Sequence, residues 1–368
     1  MQIFGACNRY IQGYGELVNL KKYIEWMGTK FLVVASKNRL LDLKERVIQA
    51  MGGSDSLVFA EFGGQCTWKE INKLKELVQS SGVHALIGIG GGAVADTANG
   101  VANFCKIPVI IIPTTASCDA FVSCSTLIYS EEVPSSFEVV RFPKSPELIL
   151  VDTEIIVNSP VRLLVAGMGD ALSTFLGAQV CHEHYRNNHL KGYSTLTGYE
   201  IAKLSYTTLL KYGKLAKIAA EKKSITDALD AIIEVNILMS GMGFENNGSA
   251  ADHCFYFGTE ALLNREHYVY HGEGVAFSSC CQLVLQGADN RQLHEVFQFC
   301  LDVGLPITFE DMHLPDLTAE EFDTMVKTVL ANPFMKSHPF EVTYEKVMGA
   351  YKTADAIGQL YKHGETLV

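Results

Sequence analysis

Three glycines, Gly90, Gly91 and Gly92, stand where the apolar run Ala85 to Ile89 gives way to Ala93-Val94-Ala95-Asp96-Thr97-Ala98, a stretch of helical composition. Without Cβ atoms, these residues let backbone N–H groups approach an anion, and a helix that follows aims its positive N-terminal end at the same place. The chemistry open to the stretch is cradling the diphosphate of a nucleotide. A tight strand-to-helix connection without a ligand would use the same residues, so the turn takes its meaning from its surroundings.

The elements that must position it alternate between strand and helix. Lys30 to Ala35, Leu57 to Ala60, Ala85 to Ile89, Ile107 to Ile112 and Leu148 to Val151 are short apolar runs. Between them lie a helical stretch from Leu40 to Met51 and another opened by a Thr67 and Glu70 capping box and running to about Ser80. This alternation predicts parallel strands joined by crossover helices. Thr126 to Tyr129 and Phe137 to Phe142, separated by Ser130-Glu131-Glu132, predict a β-hairpin laid over the sheet.

The pattern changes at Val157-Asn158-Ser159-Pro160, where Ser159 can cap a helix and Pro160 suits its first turn. Beyond it, helical spacing runs through Leu163–Val180, Ile201–Leu210, Ile225–Met242 and Val275–Leu285, and Thr318 with Glu321 opens a further capped helix. The expected organisation is an α/β domain over residues 1–158 and an all-α domain over 159–368. A chain of 368 residues is long enough for two cores.

Composition narrows the function. A net charge of −11 with no basic run argues against nucleic acid and anionic membrane surfaces as partners. The first residues lack the charged and apolar regions of a signal peptide, and no apolar run is read as long enough to span a bilayer. Ten cysteines without a Cys-x-x-Cys pair read as buried thiols in a reducing compartment, so a cytoplasmic location is expected.

Several motifs occur in order along nearly the whole chain: Phe62-Gly63-Gly64-Gln65-Cys66, the glycine turn with Asp96, Pro113-Thr114-Thr115-Ala116-Ser117-Cys118-Asp119-Ala120, and Ala166-Gly167-Met168-Gly169-Asp170-Ala171-Leu172. Phe244-Glu245-Asn246-Asn247-Gly248, leading to His253, and Tyr270-His271-Gly272-Glu273 follow. With these in register, the chain resembles the glycerol dehydrogenases and their relatives in the iron-containing alcohol dehydrogenase superfamily. The resemblance implies a dehydroquinate synthase-like fold, in which a Rossmann-like parallel-sheet domain binds the nucleotide and an all-α domain binds metal.

The resemblance also implies a metal site of Asp170, His253 and His271. One carboxylate oxygen and two imidazole nitrogens suit Zn²⁺, and three protein ligands leave a fourth position open for an alkoxide. Iron-binding members carry a His four residues after the Asp, where this chain has Thr174. That departure places it nearer the zinc-dependent glycerol dehydrogenases, while Fe²⁺ and Mn²⁺ also accept such donors. By the same resemblance, Gly90, Gly91, Gly92, Asp96, Thr114, Ser117, Ser123 and Tyr129 line the nucleotide. Asp119 stands beside the substrate, where a carboxylate can accept hydrogen bonds from vicinal hydroxyls. His267, four residues before His271, either relays the released proton or is a supporting or exposed residue.

Two departures concern the nucleotide. Ala93 follows the glycines where the family usually places a Lys, and the first strand runs into Ser36-Lys37-Asn38-Arg39 where the family has an Asp for the ribose hydroxyls. Ser36 with Lys37 and Arg39 would tolerate a 2′-phosphate, so NADP(H) stands beside NAD(H); the two cations suit a solvated helix start equally well.

The expected function is NAD(P)-dependent, metal-dependent oxidation of glycerol or another small vicinal diol to the hydroxyketone, reversibly, by a homo-oligomer. The cleft between the domains is where nicotinamide would meet substrate. Ala93 and Ser36 motivate an alternative, an NADP(H)-preferring reductase of 2-oxo acids. A lyase resembling dehydroquinate synthase would need a basic cluster for a phosphate, and none is visible around Asp170 or His253. A non-catalytic protein that kept only the fold is disfavoured by the intact ligand triple.

Overall fold

A computed structural model describes residues 1–132, 136–262 and 269–368. The chain divides into two compact units, one formed by Gly5–Pro160 with Lys223–Ile225, the other by Met1–Phe4, Val161–Lys222 and Thr226–Val368.

In the first unit the strands are β1 (Tyr10–Gly13), β2 (Phe31–Ala35), β3 (Leu57–Glu61), β4 (Ala85–Gly90), β5 (Val109–Pro113), β6 (Ser125–Tyr129), β7 (Phe137–Arg141) and β8 (Leu148–Asp152). Six of them form one sheet in the order β1-β8-β5-β4-β2-β3, every pairing parallel. β2, β4, β5 and β8 are buried along their whole length, which is why they read as unbroken apolar runs rather than alternating ones. The helices are α1 (Leu20–Ile24), α2 (Lys37–Met51), α3 (Trp68–Ser81), α4 (Gly92–Cys105) and α5 (Thr153–Val157). Pairing places Ala35 opposite Ile89 and Gly90 opposite Pro113, so the carboxyl ends of β2, β4 and β5 reach one edge of the sheet together. That edge is where open α/β sheets take ligands.

The structure differs from the sequence reading at several points. β1 was not expected; it is a four-residue edge strand with no fully buried position. Thr67 caps α3 by accepting the Glu70 N–H, but Glu70 does not return the bond. Its carboxylate accepts the Gly63 N–H at 2.9 Å and pairs with Lys73 at 2.6 Å, tying the loop after β3 to the helix. The β6–β7 hairpin is fastened to α4 rather than laid over the sheet: Thr126 Oγ1 donates to the Asp96 carbonyl at 3.0 Å, and Asn99 Nδ2 to the Ser125 carbonyl at 3.1 Å. Ser159 does not cap the next helix; its hydroxyl donates to the Ile156 carbonyl at 2.7 Å.

The second unit is helical: α6 (Val161–Glu183), α7 (Leu196–Glu221), α8 (Asp227–Glu234), α9 (Ser240–Asn247), α10 (Ala251–Glu260), α11 (His271–Gln286), α12 (Asn290–Val303), α13 (Ala319–Ala331) and α14 (Tyr344–Lys362). The expected box of Thr318 and Glu321 opens α13 with both bonds made. Between α8 and α9 the chain stays helical through a wide i→i+5 turn, Val235–Met239. Contrary to the sequence expectation, α6 is long and apolar enough to cross a bilayer, but its apolar window is 83% buried within the protein.

The decisive packing feature is the crossing of α6 and α11. A Cβ on Gly272 would lie 1.8 Å from the Ala166 carbonyl oxygen, and one on Gly169 would lie 2.2 Å from the Gly272 carbonyl oxygen. Only glycine at both positions lets the backbones touch there. The residues next to the two glycines are Asp170 and His271.

Candidate metal centre and nucleotide loop

Asp170 projects from the middle of α6, His253 from the first turn of α10, and His271 is the first residue of α11. The backbone contact at Gly169 and Gly272 brings the first and last of these together, with His271 Nε2 3.5 Å from Asp170 Oδ1. One ligand atom from each of Asp170, His253 and His271 lies within 4.8 Å of the others. Asp170 and His253 are buried, whereas the His271 side chain keeps 40% of its surface exposed, so the cluster opens on one side.

The start of α11 is fixed by Glu273. Its Oε2 accepts the Tyr270 N–H at 2.7 Å, and its two oxygens take Arg162 Nε at 2.6 Å and Nη2 at 2.8 Å. The fork geometry of this pair sets the helix terminus, and with it His271.

His253 is oriented by its own neighbour. Asp252 Oδ2 stands 2.8 Å from His253 Nδ1, and Asp252 Oδ1 accepts the Ala250 N–H at 2.9 Å. Burial disfavours the Asp252 carboxylate, yet the charge and hydrogen bond of His253 and the backbone donors hold its pKa below the ordinary range. An ionised Asp252 claims the Nδ1 proton and leaves Nε2 of His253 as the donor for a cation, the arrangement usual for metal-bound histidines. Gln282 of α11 accepts the Asp252 N–H at 2.6 Å and donates to the Leu176 carbonyl at 3.0 Å, joining the start of α10 to α6.

This donor set fits a divalent cation: one oxygen, two imidazole nitrogens, and an open side. Thr174 stands one turn after Asp170, where a further ligand could arise. Its hydroxyl lies 2.9 Å from Ser240 Oγ, and its methyl group lies 2.8 Å from where a Gly243 Cβ would stand. The space beside Thr174 is already filled.

At the carboxyl edge of the sheet, the glycines close a pocket-like turn. A Cβ on Gly90 would meet Val94 at 2.6 Å, and one on Gly92 would lie 3.0 Å from Cys118 Sγ. α4 begins at Gly92, and no side chain caps its N-terminus. Thr114 is buried and donates its N–H to the Gly90 carbonyl at 2.9 Å, while Thr115 Oγ1 lies 3.0 Å from Ser117 Oγ. Asp119 precedes the short turn Ala120–Val122 in the same loop. These residues gather around the glycines.

Other residues expected at the nucleotide have structural partners. Ser123 Oγ accepts the Ser125 N–H at 2.9 Å, and Tyr129 donates its N–H to Cys66 at 2.8 Å from within β6. Ser36 caps α2 by accepting the Arg39 N–H, and Arg39 pairs with Asp42 at 3.2 Å. Asp96 is buried in α4, its Oδ1 accepting the Leu127 N–H of β6 at 3.2 Å. His267 lies outside the described residues.

The model of the iron-containing alcohol dehydrogenase family matches residues 7–153. A glycerol dehydrogenase of Citrobacter freundii is 38% identical over 361 residues, covering 98% of this chain and 98% of its own. The chain belongs to the glycerol dehydrogenase family. Its structure agrees: it superposes with a TM-score of 0.93 on glycerol dehydrogenase from Schizosaccharomyces pombe, at 30% identity, covering 100% of this chain and 94% of the other. With a probable glycerol dehydrogenase from Sinorhizobium meliloti 1021 the TM-score is 0.89 and the identity 34%, over 98% and 99% of the two chains. As a member of this family the protein is an alcohol dehydrogenase with a metal-binding, NAD-dependent family chemistry.

Sequence reasoning missed two residues of this dehydrogenase's centre, Asp252 and Gln282. The Asp252-His253 pair was the available signal, since a carboxylate beside a candidate ligand can orient it. Gln282 had none, because its partners come from distant elements.

Asp96 gives the enzyme a testable pH dependence. Burial pushes its pKa from 3.8 up to about 8, partly offset by the Leu127 N–H. The folded state therefore holds the proton up to about pH 8, while the unfolded chain releases it near pH 4. Stability from this group is complete below the lower value and is lost as pH rises toward the higher, at about 1.4 kcal/mol per pH unit. Asp96→Asn keeps an acceptor for Leu127 and removes the titration. Denaturant melts should show the variant gaining on wild type from pH 4 to 8 and a constant gap above; a gap independent of pH would contradict the assignment.

Proposed function

We propose that the protein catalyses reversible oxidation of glycerol, or another small vicinal diol, to the hydroxyketone with NAD⁺ and a divalent ion, Zn²⁺ first among candidates. The convergence of Asp170, His253 and His271 donor atoms within 4.8 Å carries this reading, together with the near full-length kinship to glycerol dehydrogenases. When bound, the ion supplies Lewis acidity that lowers the pKa of a substrate hydroxyl and favours loss of its proton. Asp170, His253 and His271 hold it, and Asp252 and Glu273 keep two of those ligands in place. Three protein donors, with Thr174 packed where a fourth would stand, support tetrahedral Zn²⁺ over a four-ligand iron site.

Within the sheet domain, the loop N–H groups at Gly90, Gly91 and Gly92 take the nucleotide diphosphate, with Thr114 and Ser117 beside it. Asp119 accepts hydrogen bonds from the diol, a preference an apolar pocket could not supply. Asp96, Ser123 and Tyr129 are assigned to the same nucleotide, Asp96 also holding the hairpin to α4 through the Leu127 N–H, and His267 is assigned the proton relay. At the end of β2, Ser36 in place of a carboxylate leaves room for a 2′-phosphate, so NADP⁺ is accepted beside NAD⁺. The kinship favours diols over the 2-oxo acids of the alternative reductase. A cytoplasmic location belongs to the same reading, as does a homo-oligomer, the latter supported by Leu204, Leu215 and Ile218, exposed along α7.

The test is a substrate-by-nucleotide matrix on Zn²⁺-loaded protein, with metal analysis on the same sample. Glycerol and dihydroxyacetone should turn over, 2-oxobutyrate slowly or not at all. Protein that binds metal and nucleotide yet turns over no diol or hydroxyketone would overturn the proposal.

A further inference from the structure

His338 follows the short helical turn Pro333–Ser337 and is almost fully buried, at 4% exposure. The chain around it is firmly held. Arg186 donates from Nε to the Ser337 carbonyl at 3.1 Å and from Nη2 to the His338 carbonyl at 3.3 Å. Ser337 Oγ donates to the Ser249 carbonyl at 3.1 Å, three residues before Asp252. Yet among the described residues neither ring nitrogen of His338 has a hydrogen-bond partner.

Burial holds the ring pKa down at about 4, against Asp252, which raises it, and with His184 and Arg186, which lower it further. The imidazole is thus neutral and carries one donor and one acceptor. Burying both without partners costs about 1–3 kcal/mol for each, and a Phe or Leu of similar volume would avoid that cost. Buried polar groups of this kind are normally served by an internal water. Asp252, the one acceptor among the three charged groups that act on the ring, has matching capacity: its oxygens accept from His253 and Ala250, and a carboxylate has about four acceptor sites in all.

We propose that His338 is a positioning residue of the metal centre, donating through an internal water to Asp252 and so fixing the carboxylate that orients His253. The inference rests on the metal-site reading above. The polar chain then runs from the ligand through Asp252 and water to a ring whose own backbone is pinned by Arg186. Loosening its far end lets Asp252 turn and weakens the hold on His253.

Zn²⁺ affinity, measured by competition with a chromophoric chelator on the full chain, tests this. His338→Phe should weaken Zn²⁺ binding about tenfold, while His338→Gln, which restores a donor, should recover most of it. At saturating Zn²⁺, KM for glycerol should be unchanged. A His338→Phe protein that is folded and binds Zn²⁺ within about twofold of wild type overturns the proposal. If the Phe variant does not fold, a high-resolution structure of the Zn²⁺-loaded wild type decides, since a ring without a water shared with Asp252 overturns it equally. Wild-type protein that binds no Zn²⁺ would remove the metal reading and this inference together; normal wild-type binding with an indifferent Phe variant removes this inference alone.

Discussion

Gly272→Ala is expected to dismantle the metal centre without touching a ligand. The added methyl would lie 1.8 Å from the Ala166 carbonyl oxygen and 3.2 Å from the Asp170 nitrogen, both backbone atoms that no side-chain rotation can move. α6 and α11 must separate, and overpacking of this severity costs about 3 kcal/mol. For a unit of this size that is roughly 6–12 °C in melting temperature. The separation also carries His271 away from Asp170, and a displacement of about 1 Å at a reacting centre is worth about 10²-fold in rate. Differential scanning fluorimetry, Zn²⁺ content and glycerol oxidation measured on one preparation should all fall. Unchanged Zn²⁺ content would mean that the helix crossing does not set the site.

His271→Ala should separate chemistry from folding. The side chain is 40% exposed and begins its helix, so little packing is lost and the metal-free variant should melt as the metal-free wild type does. Its Zn²⁺ content should fall to background. Since Lewis acidity is worth several kcal/mol, turnover should drop on the order of 10³-fold or more. Turnover that survives in a Zn²⁺-free variant would place the chemistry elsewhere.

What could be read from the residues follows the physics of each signal. β2, β4, β5 and β8 were legible because a strand buried on both faces must be apolar throughout. β1 was not: Tyr10-Ile11-Gln12-Gly13 is half-buried at an edge and owes its strand conformation to pairing with β8. Thr318 was placed correctly at a helix start by local chemistry, whereas the Ser36 cap, which starts α2 three residues before the expected Leu40, was not read. Glu70 was misread because Gly63, seven residues back, competes for the carboxylate that a capping box would use. The ligands Asp170, His253 and His271 came from motif resemblance, since nothing local distinguishes them from ordinary core residues. The reason they meet, two glycines about a hundred residues apart pressed backbone to backbone, exists only in the folded chain.

The wide turn at Val235–Met239 has a consequence for anyone altering this protein's length. Such a turn stores one residue more than an α-helical turn does, so removing a residue there would let the helix run straight. Everything downstream would then keep its rotation about the axis and Ser240 its place beside Thr174, whereas the same deletion within the regular turns of α8 would swing both by about 100°. A single-codon deletion in α8, far from every ligand, could in this way open the very space that now keeps a fourth donor out.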